Sequence, residues 1–153
     1  MTHDAAVSSA RQIASDVLAP SAGKNDKAGQ FSTEAIESLG QAGLLALLVP
    51  ADFGGLGLGP RTFAAVTATL AEADASVAMV YLMHVLGTGC ILAGRSSAAE
   101  ATVPILKEIG AGQHLSTLAF SEAGSRSHFW ARMKHASASR ATLPEMGHPP
   151  RPA

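Results

Sequence analysis

A glycine-rich stretch at residues 54–62 has a spacing close to that of a phosphate-binding loop. Gly54 is followed by four residues, then by Gly59 and by Pro60. A phosphate-binding loop requires a lysine at the place of this proline, and backbone N–H groups that point at the phosphates. Because proline has no N–H to donate, we interpret this stretch as an irregular connection between two helices.

The spacing of the histidines and of the single cysteine does not indicate a metal site. No two histidines stand four residues apart, and Cys90 has no second cysteine to pair with. The histidines in the second half of the chain are His84, His114, His128, His135 and His148. No Gly-x-Ser-x-Gly element of a serine hydrolase is present. We expect no metal ligands, and we expect Cys90 to be a buried apolar residue rather than a nucleophile.

Residues 118–128 form the stretch best suited to bind a ligand. Leu118 and Phe120 alternate with smaller side chains, which predicts a strand that ends at the hydroxyl of Ser121 and enters a turn at Gly124. A serine-rich and glycine-rich turn offers several N–H and O–H donors to the anionic or carbonyl oxygens of a ligand. An ordinary turn remains the alternative interpretation.

The first half of the chain predicts two helices. The first covers residues 4–18 and ends before Pro20, which opens a polar loop up to residue 30. The second follows this loop and ends at Gly40 or Gly43, either of which could be its C-terminal glycine. Between this helix and the glycine-rich stretch lies an apolar run, residues 44–49, that is too short to be assigned as a strand or a helix.

The second half of the chain predicts three further helices and one strand. The third helix covers residues 60–73, and the fourth covers residues 77–93. The fifth begins at the capping-box pattern of residues 97–100 and is kinked or restarted at Pro104. The strand covers residues 115–121.

The fourth predicted helix is apolar enough to raise the question of a membrane span. Its 17 residues reach only the lower limit of about 17–25 for a span. It contains His84 and the glycines Gly87 and Gly89, and either Asp74 or Ser76 could cap its first turn. We therefore expect a helix buried on all sides of a bundle, with glycines that let a neighbouring helix or a ligand approach closely.

Composition limits the partners and divides the chain in two. Of the 153 residues, 47% are hydrophobic and 15% charged, and the net charge of −1 does not favour nucleic acid or an anionic membrane as a partner. Up to Ser125 there are six Lys or Arg and eleven Asp or Glu, whereas five cations and one acid follow. No targeting segment is evident at the start, so we expect a cytoplasmic protein.

Four stretches, in this order, resemble the N-terminal part of an acyl-CoA dehydrogenase. Residues 49–57 are similar to the family's VPxxYGGxG pattern, and residues 70–78 to its ELAxxDASVA helix junction. His84 follows where the family often has histidine or asparagine. Residues 104–112 are similar to its LPxLxxGE pattern, and residues 119–124 stand in the place of its xLTEPxAGSD stretch.

The resemblance covers about residues 5–131 and implies a mainly α fold. Residues 1–113 would form the family's N-terminal domain of about five helices. Residues 114–131 would begin the family's middle β domain, with one strand of an incomplete sheet and a turn that contacts flavin. Residues 132–153 show no family likeness, and we expect a disordered, proline-rich, cationic tail there.

The resemblance also implies which residues would bind cofactor and substrate. By position, the family's flavin contacts fall on the backbone of Phe120, on the hydroxyl of Ser121 and on Ser127. Ser127 would also lie near the CoA side of the thioester. Arg126 stands where the family usually has glycine and His128 where it usually has aspartate, which marks a departure from the pattern. No residue matches the family's catalytic glutamate, so we assign no catalytic residue.

The implied function is that of an FAD-dependent acyl-CoA dehydrogenase of fatty acid metabolism. Such enzymes are oxidoreductases that transfer a hydride from Cβ of an acyl-CoA thioester to FAD, and most are homo-oligomers. We expect this chain to be truncated before the catalytic glutamate and inactive alone. The alternatives are a non-catalytic helical interaction module that another chain completes, or a degenerate frameshift product without function.

Overall fold

A computed structural model describes residues 1–118, and these residues are mainly helical. Their α-helices are α1 (His3–Ile13), α2 (Ala19–Ala28), α3 (Thr33–Gln41), α4 (Pro60–Ala73), α5 (Ala75–Gly94) and α6 (Ala99–Gly110). A π-helical turn, Ala14–Leu18, joins α1 to α2, and short 3-10 turns cover Leu44–Ala46 and Ala51–Phe53. The described residues contain no strand, so the mainly α fold is confirmed for them.

The predicted loop after Pro20 is wrong, because the helix continues through this proline to Ala28. Just before the proline, the N–H of Ala19 bonds to the carbonyl of Ala14, five residues back. This widened turn accommodates a ring that would otherwise press on the carbonyl four residues earlier. The helix ends instead at Gly29, whose φ of 59° is the left-handed conformation that glycine adopts most easily.

The apolar run at residues 44–49 joins two parts of the core. Leu44, Leu45 and Leu47 pack into the main cluster with buried side chains of α1, α3, α4 and α5. Ala46 and Val49 belong to a second cluster with Leu106 and Ile109 of α6. A short run that alternates between the two clusters therefore holds α6 to the rest of the helices.

Helix α5 begins at an aspartate cap, as one of the two sequence alternatives predicts. The Oδ1 atom of Asp74 accepts hydrogen bonds from the N–H groups of Ser76 at 2.9 Å and Val77 at 3.0 Å. These two groups would otherwise lack a partner in the first turn of the helix. The cap sets the start of the longest helix in the described residues.

Replacing Asp74 by alanine is expected to lower the free energy of unfolding by about 1 kcal/mol, because both N–H groups lose their acceptor. Asp74→Asn is the matched control and is expected to stay within a few tenths of a kcal/mol of the unchanged chain. Urea denaturation followed by circular dichroism measures the difference. Equal losses for the two variants would contradict a capping role.

Helix α6 and the segment after it differ in detail from the sequence expectations. The hydroxyl of Ser97 donates to the carbonyl of Gly94, at the end of α5, and makes no capping bond to α6. Helix α6 also continues as one helix through Pro104, which is exposed. In the predicted strand, residues 115–118 are irregular, and residues 119–121 lie outside the described part of the chain.

Candidate functional site

The flavin-contacting residues implied by the resemblance, Phe120, Ser121 and Ser127, lie outside the described residues, as does the turn at Gly124. The structure does describe residues 113–118, which lead directly to them, and we call these residues the leading segment. The leading segment follows α6 and passes over α5. The described part of the candidate site is therefore the surface on which this segment lies.

The leading segment is bound to the core through His84, a fully buried side chain of α5. The Nε2 atom of His84 lies 2.8 Å from the carbonyl oxygen of Leu45, and its Nδ1 atom lies 2.9 Å from the backbone N of Ser116. A carbonyl can only accept and a backbone N–H can only donate. His84 is therefore the neutral tautomer that carries its proton on Nε2.

Burial lowers the pKa of His84, because the charged imidazolium loses its hydration. The hydrogen bond to the carbonyl of Leu45 opposes this effect, and the nearby His114 lowers the pKa of His84 further. His114 is itself 3.4 Å from the carboxylate of Glu108. The neutral form that the hydrogen bonds require is thus also the form that burial favours.

Gly87 allows the leading segment to lie directly against α5. A Cβ atom at this position would be 3.1 Å from Cβ of Ser116 and 3.3 Å from the carbonyl oxygen of Thr117. The sequence predicts that a neighbouring helix or a ligand approaches these glycines closely, whereas at Gly87 the approach is made by an irregular segment. At Gly89 an added Cβ would find only an ordinary contact with Leu48, at 3.9 Å.

The hydroxyl of Ser116 is buried and has no hydrogen-bond partner among the described residues. Ser116 stands five residues before Ser121 in the sequence. An unpaired buried hydroxyl is costly unless a further group satisfies it. Within residues 1–118 it is the one buried side-chain polar atom without a hydrogen-bond partner.

The glycine-rich stretch does not form a phosphate-binding loop, as the sequence indicates. Its backbone N–H groups bond inward, with Gly55 donating to Pro50, Gly57 to Val49 and Leu58 to Leu47. These donors are therefore not available to a phosphate. Gly55 also packs so closely against Val49 that no Cβ would fit there.

Helix α5 presents an apolar face on the side away from the core, which we call the outer face. Its members are Ala75, Met79, Leu82, Met83, Leu86, Cys90 and Ala93. Met79 is 58% exposed and Leu86 38% exposed in the described structure. The expectation of a helix buried on all sides is wrong for these residues, and Cys90 is exposed rather than buried. The core-facing side carries the buried residues at helical spacing.

By length and composition, α5 would be able to cross a membrane. Its core-facing side nevertheless carries a buried histidine with two hydrogen bonds to the rest of the fold. Tyr81 on the same side donates its hydroxyl to the carbonyl of Leu44, and burial raises the pKa of this phenol. These contacts are typical of a core helix in a helical domain.

A groove of about 590 Å³ lies between the end of α2 and the junction of α4 with α5. Two carboxylates, Asp26 and Asp74, line it, and no lysine or arginine is among its described lining residues. The negative charges of these two carboxylates would repel the phosphates of CoA. Within residues 1–118 there is also no group of three His, Cys, Asp or Glu side chains placed to hold a metal ion.

Comparison with known proteins indicates the family of the chain. Residues 1–104 match the family model described as acyl-CoA dehydrogenase, N-terminal domain. The chain is 32% identical over 110 residues to proteins named probable acyl-CoA dehydrogenase FadE25 from Mycobacterium tuberculosis and Mycobacterium bovis. The match covers 71% of this chain and 28% of each relative.

A second kind of relative shares a shorter region. The chain is 42% identical over 66 residues to a protein named L-evernosamine nitrososynthase from a Micromonospora species. That match covers 42% of this chain and 15% of the relative. The chain thus spans less than a third of the length of the curated relatives it matches. With a helical fold and a family match over residues 1–104, the chain belongs to the acyl-CoA dehydrogenase family, in its N-terminal domain.

Proposed function

We propose that this chain supplies the N-terminal helical domain of an FAD-dependent acyl-CoA dehydrogenase. The observation that carries the proposal is the family match over residues 1–104, and the outer face of α5 is the exposed apolar surface that the substrate or the rest of such an enzyme would cover. The leading segment lies against the same helix at Gly87 and continues toward Phe120 and Ser121. An apolar wall and a stretch with hydroxyl and N–H donors are what an acyl thioester and a flavin require.

The outer face suits the acyl part of the substrate. Over its 20 residues α5 carries no charged side chain, and Met79 and Leu86 are exposed on this face. Covering such side chains contributes about 25 cal/mol per Å² of apolar surface removed from water. Methionine and leucine side chains also adapt to a flexible alkyl chain. We infer that this face borders the acyl chain, or packs against the part of the enzyme that does.

The flavin contacts are proposed for Phe120 through its backbone and for Ser121 and Ser127 through their hydroxyls, with Ser127 also near the CoA side of the substrate. The anchoring of Ser116 to His84 supports this assignment, because it determines where the chain starts toward Ser121. FAD, when bound, supplies the acceptor for the hydride that leaves Cβ of the thioester. The residues of this chain would position the flavin.

A catalytic base is proposed to come from outside residues 1–118. Removal of the α-proton needs a carboxylate placed at the substrate, generally in a site that excludes water. The acidic side chains of the described residues are exposed, except for Asp74, which is half-buried and caps α5. Because no residue of the whole chain matches the family's catalytic glutamate, we expect the 153-residue chain alone not to oxidise acyl-CoA. We likewise propose, from the family, a homo-oligomeric cytoplasmic enzyme.

An interaction module completed by another chain is the alternative, and the same outer face favours it, because an exposed apolar face also suits a protein partner. The match to a nitrososynthase shows that relatives of this domain carry names of different activities. The domain alone thus does not specify the reaction.

A graft tests the proposal. Residues 1–118 replace the matching region of the Mycobacterium tuberculosis relative, and visible flavin absorbance is recorded before and after a saturated acyl-CoA thioester is added without oxygen. We expect flavin to be retained and then bleached. In the graft, Met79→Glu should slow the bleaching at least tenfold, because a charge then stands on the outer face.

Phe31→Glu is the matched control, since Phe31 is also 58% exposed but is not part of α5. It is expected to leave bleaching unchanged. A graft that retains flavin without bleaching, or equal effects of the two variants, would contradict the proposal. Bleaching by the 153-residue chain alone would contradict the expected need for a further base.

A further inference from the structure

We propose that His84 is a positioning residue that holds the leading segment on α5 only while its imidazole is neutral, and that a proton on Nδ1 releases this segment. The inference concerns the described residues and requires no flavin. Its consequence for Ser121 and the flavin rests on the proposed function.

The hydrogen-bond pattern allows one protonation state. The carbonyl of Leu45 accepts from Nε2–H, and the backbone N–H of Ser116 donates to the lone pair of Nδ1. A protonated imidazole carries N–H on both nitrogens. Its Nδ1–H would then face the N–H of Ser116, so an attractive contact would become a repulsive one. The bond to Leu45 would remain.

This bond is the one hydrogen bond that joins residues 115–118 to the rest of residues 1–118. Among the described residues, the backbone hydrogen bonds of the leading segment are those of Gln113 to Glu108 and of Ser116 to His84. The Ser116 hydroxyl has no partner there, and at Gly87 the segment touches α5 by close packing alone. Losing the bond to Nδ1 therefore leaves residues 115–118 without a described hydrogen bond to the domain.

Among the described residues, few titratable groups lie close enough to His84 to make the release of the segment depend on pH. The turn Leu44–Ala46 carries no titratable side chain, and the phenol of Tyr81 is kept neutral because burial raises its pKa. His114, on the leading segment, opposes a proton on His84, and Glu108 of α6 contacts His114. The other charged side chains of the helices packed on α5 are exposed, namely Glu34, Glu37, Arg61, Glu72, Glu100 and Lys107.

We call the leading segment docked when Ser116 is bonded to His84, and released when it is not. The direction in which pH shifts this equilibrium follows from the pKa of His84 in the two states. The docked segment adds to the burial that lowers the pKa of His84, and it brings the N–H of Ser116 and the side chain of His114 next to the imidazole, so the released state binds the proton more readily. Docking is therefore fully favourable above the pKa that His84 has in the released state, and it weakens as the pH falls from there toward the lower pKa of the docked state. The segment that leads to Ser121 would then be held at neutral pH and released in acid.

Amide hydrogen exchange of the full 153-residue chain, measured by NMR without flavin, tests the inference. Protection of the Ser116 amide, corrected for the intrinsic effect of pH, should fall at least tenfold as the His84 imidazole titrates. Protection of the Leu70 amide in the core of α4 should not change over the same range. Protection at Ser116 that does not follow the His84 titration would overturn the inference.

Two variants distinguish protonation of His84 from protonation of another group as the cause of the lost protection at Ser116. In His84→Asn the amide oxygen can still accept from Ser116 but cannot titrate, so protection at Ser116 should become independent of pH. In His114→Gln the fall should persist, because the proton that matters is on His84. An equal fall in His84→Asn, or no fall in His114→Gln, would overturn the inference.

If His84→Asn fails to fold, as loss of protection at Leu70 would reveal, the titrations of the unchanged chain and of His114→Gln decide the question. Failure of this test would not affect flavin binding by the graft. A graft without flavin would likewise leave the exchange result unchanged. The two proposals are therefore tested separately.

Discussion

Replacing Gly110 by alanine is expected to lower the free energy of unfolding by about 3 kcal/mol. Gly110 is the last residue of α6, and an added Cβ would overlap the carbonyl oxygen of Phe53 and lie 2.9 Å from its carbonyl carbon. Gly54 would be 3.3 Å away. These are backbone atoms, so no rotamer change can relieve the clash, and α6 must move away from the glycine-rich stretch.

Urea denaturation of the 153-residue chain measures this loss, with Gly23→Ala as the matched control. Gly23 lies inside α2, and nothing stands within 4 Å of an added Cβ. Because alanine is the better helix former, the control should gain about 0.5–1 kcal/mol. The same substitution thus has opposite signs at two helical glycines. A Gly110→Ala chain as stable as the unchanged one would refute the described contact.

Replacing His84 by leucine is expected to cost about 2–4 kcal/mol, because it leaves the carbonyl of Leu45 without a partner in the core and removes the bond that holds Ser116 on α5. The carbonyl of Leu45 loses its donor, and the N–H of Ser116 loses its acceptor. Leucine supplies apolar volume in a fully buried position, so the loss measures mainly the hydrogen bonds. The same denaturation experiment at neutral pH measures it.

Thr88→Val is the matched control, one turn further along the same buried side of α5. Among the described residues the hydroxyl of Thr88 donates to the carbonyl of His84 alone, within its own helix, so its removal should cost less than about 1 kcal/mol. A His84→Leu chain that is as stable as the Thr88→Val chain would show that the two bonds of His84 contribute little.

Much of the helical order is local and was predictable from the sequence. The start of α4 at Pro60 and the Asp74 cap follow from residue types that act on their own first turn. Residues 54–59 are irregular as predicted, whereas residues 60–62 form the first turn of α4, and no phosphate-binding loop is formed. The loop predicted after Pro20 fails, since a widened turn next to a proline has no clear local signal.

The candidate site was predictable only in part. The family resemblance directs attention to residues 119–124, whereas the structure adds the anchor that precedes them at Ser116. The one available signal for this anchor was the family's use of histidine or asparagine at the position of His84. Both side chains can donate and accept a hydrogen bond, and that ability is what the site uses.

The sequence by itself determined the family, the mainly α class and most helix starts, because these depend on neighbouring residues and on their order along the chain. Only the tertiary structure decided which side of α5 is covered and which protonation state His84 takes. Both depend on groups more than 30 residues away, such as Leu45 and Ser116, which no local pattern brings together. Packing over that distance, rather than local preference, shapes the described part of the candidate site.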